Sequence, residues 1–141
     1  MTIQSVAAFA QRLSELDPNG DYFTVECHEL IEQVDPALSG RLCEPILAYF
    51  EAHPLKYFGV PGPLVHLVES GYPSGLPQLC HSISQRPTLT TLWMAQRLLR
   101  SDIDPIERKR LRRALASAAT LPYVASEVKN EIDELRRRID A

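Results

Sequence analysis

The sequence predicts an all-α fold, on three observations. Apolar residues recur at helical spacing along nearly the whole chain, prolines fall where helices would begin, and no run alternates apolar and polar residues with β-branched enrichment as a strand does. Together these predict over ~60% helix, against a base rate of about a third. About eight short helices are expected in a single domain spanning residues 1–141, as stacked αα-hairpins of the HEAT type or as an irregular bundle.

Each element follows from its stripe. Ile3, Val6, Ala7, Ala10, Leu13 and Leu16 obey i, i+3, i+4, i+7 spacing and stop at the turn Asp17-Pro18-Asn19-Gly20. Phe23, Cys27, Leu30, Ile31 and Val34 form the second stripe, which ends before Asp35-Pro36. A third segment from Leu38 to Phe50 carries Leu42, Ile46, Leu47 and Phe50, with Pro45 as a kink or a late start. Gly59-Val60-Pro61-Gly62-Pro63 breaks the chain before a short helix through Leu64, Val65, Leu67 and Val68, which Gly71-Tyr72-Pro73 ends. Leu76, Leu79, Cys80 and Ile83 make a fifth stripe, and Leu89, Leu92, Trp93, Leu98 and Leu99 a sixth. The last two are Leu111, Leu115 and Ala118, then Val124, Val128, Ile132, Leu135 and Ile139. Pro36, Pro63, Pro77, Pro87, Pro105 and Pro122 are each expected in a first turn, where the missing N–H costs nothing. Asp104-Pro105-Ile106-Glu107 reads as an N-cap with a capping-box carboxylate three residues on.

Composition narrows the function classes. No apolar run approaches the ~18 residues of a membrane span, and the N-terminal residues read as an amphipathic helix rather than a signal peptide. Cys27, Cys43 and Cys80 are odd in number and widely spaced, which points to a reducing compartment and a cytoplasmic protein. The net charge of −3 conceals a split. Residues 1–60 carry three basic against nine acidic groups, a balance of −6, and residues 61–141 carry twelve against nine, a balance of +3. A dipolar field of this kind steers partners.

The chemistry-bearing residues offer little to an enzyme. Cys27-His28 and Cys80-His81 are adjacent pairs, with His53 and His66 between them, and none has the close spacing of structural zinc ligands. Cys27 and Cys80 lie on apolar stripes, where a thiol packs as a small hydrophobe rather than serving as a nucleophile. Neither nucleotide-binding glycine fingerprint occurs, nor H-E-x-x-H, nor G-x-S-x-G. The expectation is therefore a non-enzyme with no cofactor, no metal and no small-molecule substrate. Arg108-Lys109-Arg110-Leu111-Arg112-Arg113 could meet phosphate, but a nucleic-acid binder needs a wider basic surface and a pI above ~9, against ≈ 5.8 here. The run reads more simply as a solvated helix face paired with nearby acids.

The second helix is more distinctive. With Glu26 set at 0° and about 100° per residue, Glu29 and Glu32 fall near 300° and 240°, while the apolar stripe centres near 80°. The carboxylates form a row away from the core, with Asp21 and Asp35 at its ends, suited to docking a basic partner.

The stretch from Phe58 to Asp102 carries a family likeness. It reads Gly59-Val60-Pro61-Gly62-Pro63-Leu64-Val65-His66-Leu67-Val68-Glu69, then Ser82-Ile83-Ser84-Gln85-Arg86-Pro87-Thr88, then Thr91-Leu92-Trp93-Met94-Ala95-Gln96-Arg97. This resembles the all-helical immunity proteins of bacterial polymorphic-toxin and contact-dependent growth inhibition systems, over roughly a third of the chain. The sequence departs from that pattern in having Ala95-Gln96 where a Leu-Asn pair is expected before Arg97, and Ser101-Asp102 where an Asn usually follows. The resemblance implies a small protein that binds and neutralises a toxin domain. An acidic inhibitor suits a basic nuclease, whose phosphate-attracting cleft also attracts carboxylates.

On this reading the partner surface comprises Asp21, Glu26, Glu29, Glu32, Asp35, Glu51, Tyr57, His66, Glu69, Trp93 and Arg97. The same residues have structural roles available. His66 and Glu69 are placed to hydrogen-bond, Trp93 and Arg97 are placed for a cation–π contact, and Gly62 with its flanking prolines would shape a rigid turn. A helical-repeat adaptor for another protein is the alternative, and a nucleic-acid-binding helical domain a more distant one.

Overall fold

The computed structural model describes residues 2–58 and 62–140, which leaves Gly59, Val60 and Pro61 of the predicted break outside. The described residues begin outside any helix. Ile3 pairs with Val34 in an isolated parallel bridge, its N–H donating to the Gln33 carbonyl at 2.6 Å and its carbonyl accepting from Asp35 N–H at 2.9 Å. Ile3 is thus buried without being helical, a correction to the first stripe. The helix α1 (Val6–Ser14) starts instead at Ser5, whose hydroxyl accepts from Ala8 N–H. Its buried residues are Phe9 and Leu13, while Ala7 is exposed. The larger Phe9 side chain turns the helix so that the small Ala7 faces out.

Then come α2 (Phe23–Glu32), a 3₁₀ segment (Pro36–Arg41) capped by the Asp35 carboxylate, and α3 (Cys43–Ala52). The third predicted segment is therefore two. Pro45 lies in the first turn of α3, the late start foreseen as one option. The remaining helices are α4 (Pro63–Glu69), α5 (Leu76–Gln85), α6 (Leu89–Arg100), α7 (Pro105–Ala118) and α8 (Ser126–Asp140). The described residues are 68% helical, with no strand among them, and none of their helices is long and apolar enough to cross a membrane. Pro36, Pro63, Pro77 and Pro105 sit in first turns as expected. Pro87 and Pro122 do not. Pro87 precedes the N-cap Thr88, and Pro122 lies in the loop four residues before α8. The reciprocal capping box is also elsewhere than predicted. Thr88 and Thr91 form it at the start of α6, whereas Asp104 caps α7 by accepting from Ile106 N–H and the buried Oε2 of Glu107 has no partner among the described residues.

Helices pack in two successions. The odd-numbered α1, α3, α5 and α7 contact one another in turn, α2 packs on α4, and α6 packs on α8. Sequential pairs such as α1–α2, α3–α4, α5–α6 and α7–α8 close the layers of an all-α helical bundle. An ion pair between Glu69 and Arg97 at 3.4 Å ties α4 to α6. The apolar stripes meet in one cluster containing Phe9, Leu30, Phe50, Leu79, Leu115 and Ile132.

One loop joins these layers through polar contacts. Residues 53–58 run past the start of α6, where buried Thr90 donates its hydroxyl to the Lys56 carbonyl at 2.9 Å and accepts from Phe58 N–H at 3.3 Å. Leu89 N–H donates to the Pro54 carbonyl at 2.8 Å. Phe58 thereby enters an aromatic cluster with Phe23, Tyr49 and Phe50, at ring separations of 5.1–5.6 Å from it. Tyr49 closes the cluster toward α1 by donating to the Leu16 carbonyl at 3.0 Å.

Candidate partner-binding surface

The helix α2 buries Cys27 and Leu30 and half-buries Phe23 and Ile31, so its outer face is fixed by the core. Glu29 and Glu32 lie exposed on that face, with Glu26 half-buried beside them. None of the three forms an ion pair among the described residues. Beyond Glu32, a cleft of ≈ 520 Å³ opens where the N-terminal bridge meets the end of α2, lined by Thr2, Glu29, Glu32, Gln33, Val34 and Pro36.

The same face carries two apolar side chains absent from the sequence reading. Tyr22 is 73% and Val25 53% exposed. On the wheel with Glu26 at 0° they fall near 320° and 260°, interleaved with Glu29 and Glu32. The signal was present in the sequence, since apolar residues inside a carboxylate arc have no core to enter. An aromatic and an aliphatic group ringed by carboxylates form an anchor with a charged rim.

The other predicted residues fall into separate places. Asp21 is exposed at the approach to α2. Asp35 is a cap whose Oδ1 accepts from Ala37 N–H at 3.0 Å, so its carboxylate is already engaged. Glu51 faces a groove of ≈ 460 Å³ between α3 and α5, where its Oε2 accepts from Ser82 Oγ at 2.8 Å. Tyr57 is half exposed on the 53–58 loop, and partial burial followed by the nearby Glu131 carboxylate raises the pKa of its hydroxyl. It thus belongs with α8 rather than with α2.

Glu69, Trp93 and Arg97 do come together. The Arg97 guanidinium lies 4.8 Å from the Trp93 ring centroid, the predicted cation–π contact, and reaches Glu69 with its other side. The expected His66–Glu69 hydrogen bond does not form. His66 is exposed on α4, and the Arg97 charge offers Glu69 the better partner. Beneath this group the Tyr72 hydroxyl is buried without a hydrogen-bond partner among the described residues, and burial with the adjacent Glu69 raises its pKa. The Tyr72-Pro73 peptide is cis. Gly62 caps α4 at φ −107°, a conformation open to any residue.

Each Cys-His pair splits across its helix, with Cys27 and Cys80 buried while His28 and His81 are exposed. Neighbouring helical residues point about 100° apart, so the two side chains of such a pair do not converge on one metal ion. Among the described residues no three His, Cys, Asp or Glu side chains are grouped to hold a metal ion. Burial, aided by Glu26, pushes the Cys27 thiol up to about 12, and burial likewise takes Cys43 and Cys80 to about 11. These thiols are protonated at neutral pH. In the basic run, Leu111, Ala114, Leu115 and Ala118 are buried as the wheel requires. Its cations form no ion pair among the described residues, against the expectation of pairing with nearby acids.

Comparison with protein-family models, curated proteins and solved structures finds no match to this chain.

Proposed function

We propose that this chain is a binding protein that docks a basic protein domain on the outer face of α2, and that the partner is a bacterial toxin domain, a basic nuclease, which it neutralises in the cytoplasm. The observation that supports this reading is the α2 face itself, with Glu29 and Glu32 forming no ion pair among the described residues and set around exposed Tyr22 and Val25. Exposed carboxylates attract a cationic surface at long range, and the apolar pair supplies contact once it arrives. The likeness of residues 58–102 to immunity proteins supplies the toxin part of the proposal. The packing of sequential helices in pairs also suits a helical-repeat adaptor for a different protein, the second reading.

The test is co-expression with a candidate basic toxin domain, sought first in the genes neighbouring its own. Rescue of growth, lost in the double variant Glu29→Lys, Glu32→Lys while the protein remains folded, is the expected result. Growth arrest despite abundant folded wild-type protein would count against the toxin assignment. Rescue that survives the double variant would move the docking face elsewhere.

A further inference from the structure

A second surface lies where α6, α7 and α8 meet, and α2 packs instead on α1 and α4. Four guanidiniums, those of Arg100, Arg108, Arg112 and Arg138, line a single groove of ≈ 280 Å³ there. Three are held by groups that orient them, through neutral oxygens for Arg100 and Arg108 and through both a neutral oxygen and a carboxylate for Arg138. Arg108 donates from Nη1 to the Leu99 carbonyl at 2.8 Å and from Nη2 to the Ser101 carbonyl at 3.0 Å, at the C-terminal end of α6. Gln96, with its amide oxygen turned toward them, accepts from Arg100 at 3.0 Å and from Arg138 at 2.7 Å. The acidic contact in the neighbourhood is Glu134, which takes Arg138 Nε at 3.2 Å and is shared with Arg137. Arg112 makes no hydrogen bond or ion pair among the described residues, and no described carboxylate lines the groove. Its floor is apolar, formed by Leu99, Leu135 and Ile139.

We propose that this groove binds a compact polyphosphate anion, either free or as the phosphate chain of a nucleoside polyphosphate. Each guanidinium carries five N–H donors in a planar fork that matches phosphate oxygens, and the observed bonds use only some of them. Arg100, Arg108 and Arg112 form no ion pair among the described residues, so three like charges in one groove repel each other, and a multivalent anion removes that repulsion. Because Arg100, Arg108 and Arg138 are already oriented, little side-chain freedom is lost on binding. The groove volume falls near the lower bound of small-ligand sites, about 300 Å³, which fits one compact ligand. An extended nucleic-acid backbone needs a wide basic surface, which a chain of net charge −3 does not provide. The apolar floor gives a nucleobase a place to lie beside the phosphates.

Isothermal titration of the full chain at fixed ionic strength tests this, with sodium tripolyphosphate, ATP and a short single-stranded RNA as probes. One tripolyphosphate or ATP per chain is expected. Arg112→Gln and Arg100→Gln should each weaken binding about tenfold or more, the loss of one charge-assisted hydrogen bond. Arg110→Gln and Arg113→Gln should leave it unchanged, because those exposed arginines of α7 face the α5 side. All four positions are exposed or solvent-facing, and circular dichroism verifies that each variant folds. Tighter binding of ATP than of tripolyphosphate would assign the apolar floor to a base, and equal binding would assign the site to the free anion. No binding of either at millimolar concentration would overturn the proposal. So would equal losses from all four variants, or RNA that outcompetes tripolyphosphate and depends on Arg110 and Arg113.

Discussion

Thr90→Val is the substitution whose cost the structure defines most closely. Thr90 is 1% exposed, and valine matches its shape, so no cavity opens and χ1 stiffness is preserved. What disappears is one hydroxyl with two partners, the Lys56 carbonyl at 2.9 Å and Phe58 N–H at 3.3 Å. A buried polar group left without its partner costs about 1–3 kcal/mol. The carbonyl bond is only partly buried and the N–H bond is long, so each belongs toward the low end, for a total of roughly 2–3 kcal/mol. At about 4 °C per kcal/mol for a chain of this length, Tm should fall by roughly 8–12 °C. Urea unfolding followed at 222 nm measures this, with the m value unchanged if the native fold is intact. Thr90→Ser supplies the contrast, since it keeps the hydroxyl and loses a methyl worth about 1 kcal/mol. The serine variant should therefore be the more stable of the two. The opposite order, or a valine variant within about 0.5 kcal/mol of the parent, would show that packing and not the hydroxyl secures the 53–58 loop.

Three further outcomes are expected. Reversing Glu29 and Glu32 to Lys should slow association with a basic partner and flatten its salt dependence, with Arg110 and Arg113 reversals doing much less, while Tyr22→Ala should mainly speed dissociation; stopped-flow binding separates the two effects. Stability should fall as pH rises above 9. The thiols ionise near 9 when unfolded, but Cys27 holds its proton to about 12, so between these values the unfolded state binds fewer protons and is favoured, on the order of 1 kcal/mol for Cys27 at pH 10. Urea midpoints at pH 8 and 10 for parent and Cys27→Ala check this, the variant showing the smaller decline. Arg97→Ala removes a cation–π contact and an ion pair that are both part-exposed, so a loss of about 0.5–1.5 kcal/mol is expected, and Trp93 emission should shift as its covering charge is removed.

What could be read in advance was whatever depends on neighbours in sequence. Helical spacing marked the buried Leu13, Leu30, Ile46, Leu115 and Ile132, and it placed Trp93 under Arg97 and the α2 carboxylates away from the core, because residues three or four apart share a helix face whatever the helix packs on. Pairings between distant segments were not legible in this way. The Ile3–Val34 bridge, the Thr90 anchor for the 53–58 loop and the Glu69–Arg97 link join residues 28 or more positions apart, and no local period encodes such distances. Local logic predicted a His66–Glu69 bond, and a charge brought in from α6 took Glu69 instead. The arginine groove shows the same division. The sequence displayed Arg108 to Arg113 as one basic run, but helix geometry turned Arg110 and Arg113 toward α5, and only the packing of α6 and α8 on α7 joined Arg108 and Arg112 to Arg100 and Arg138.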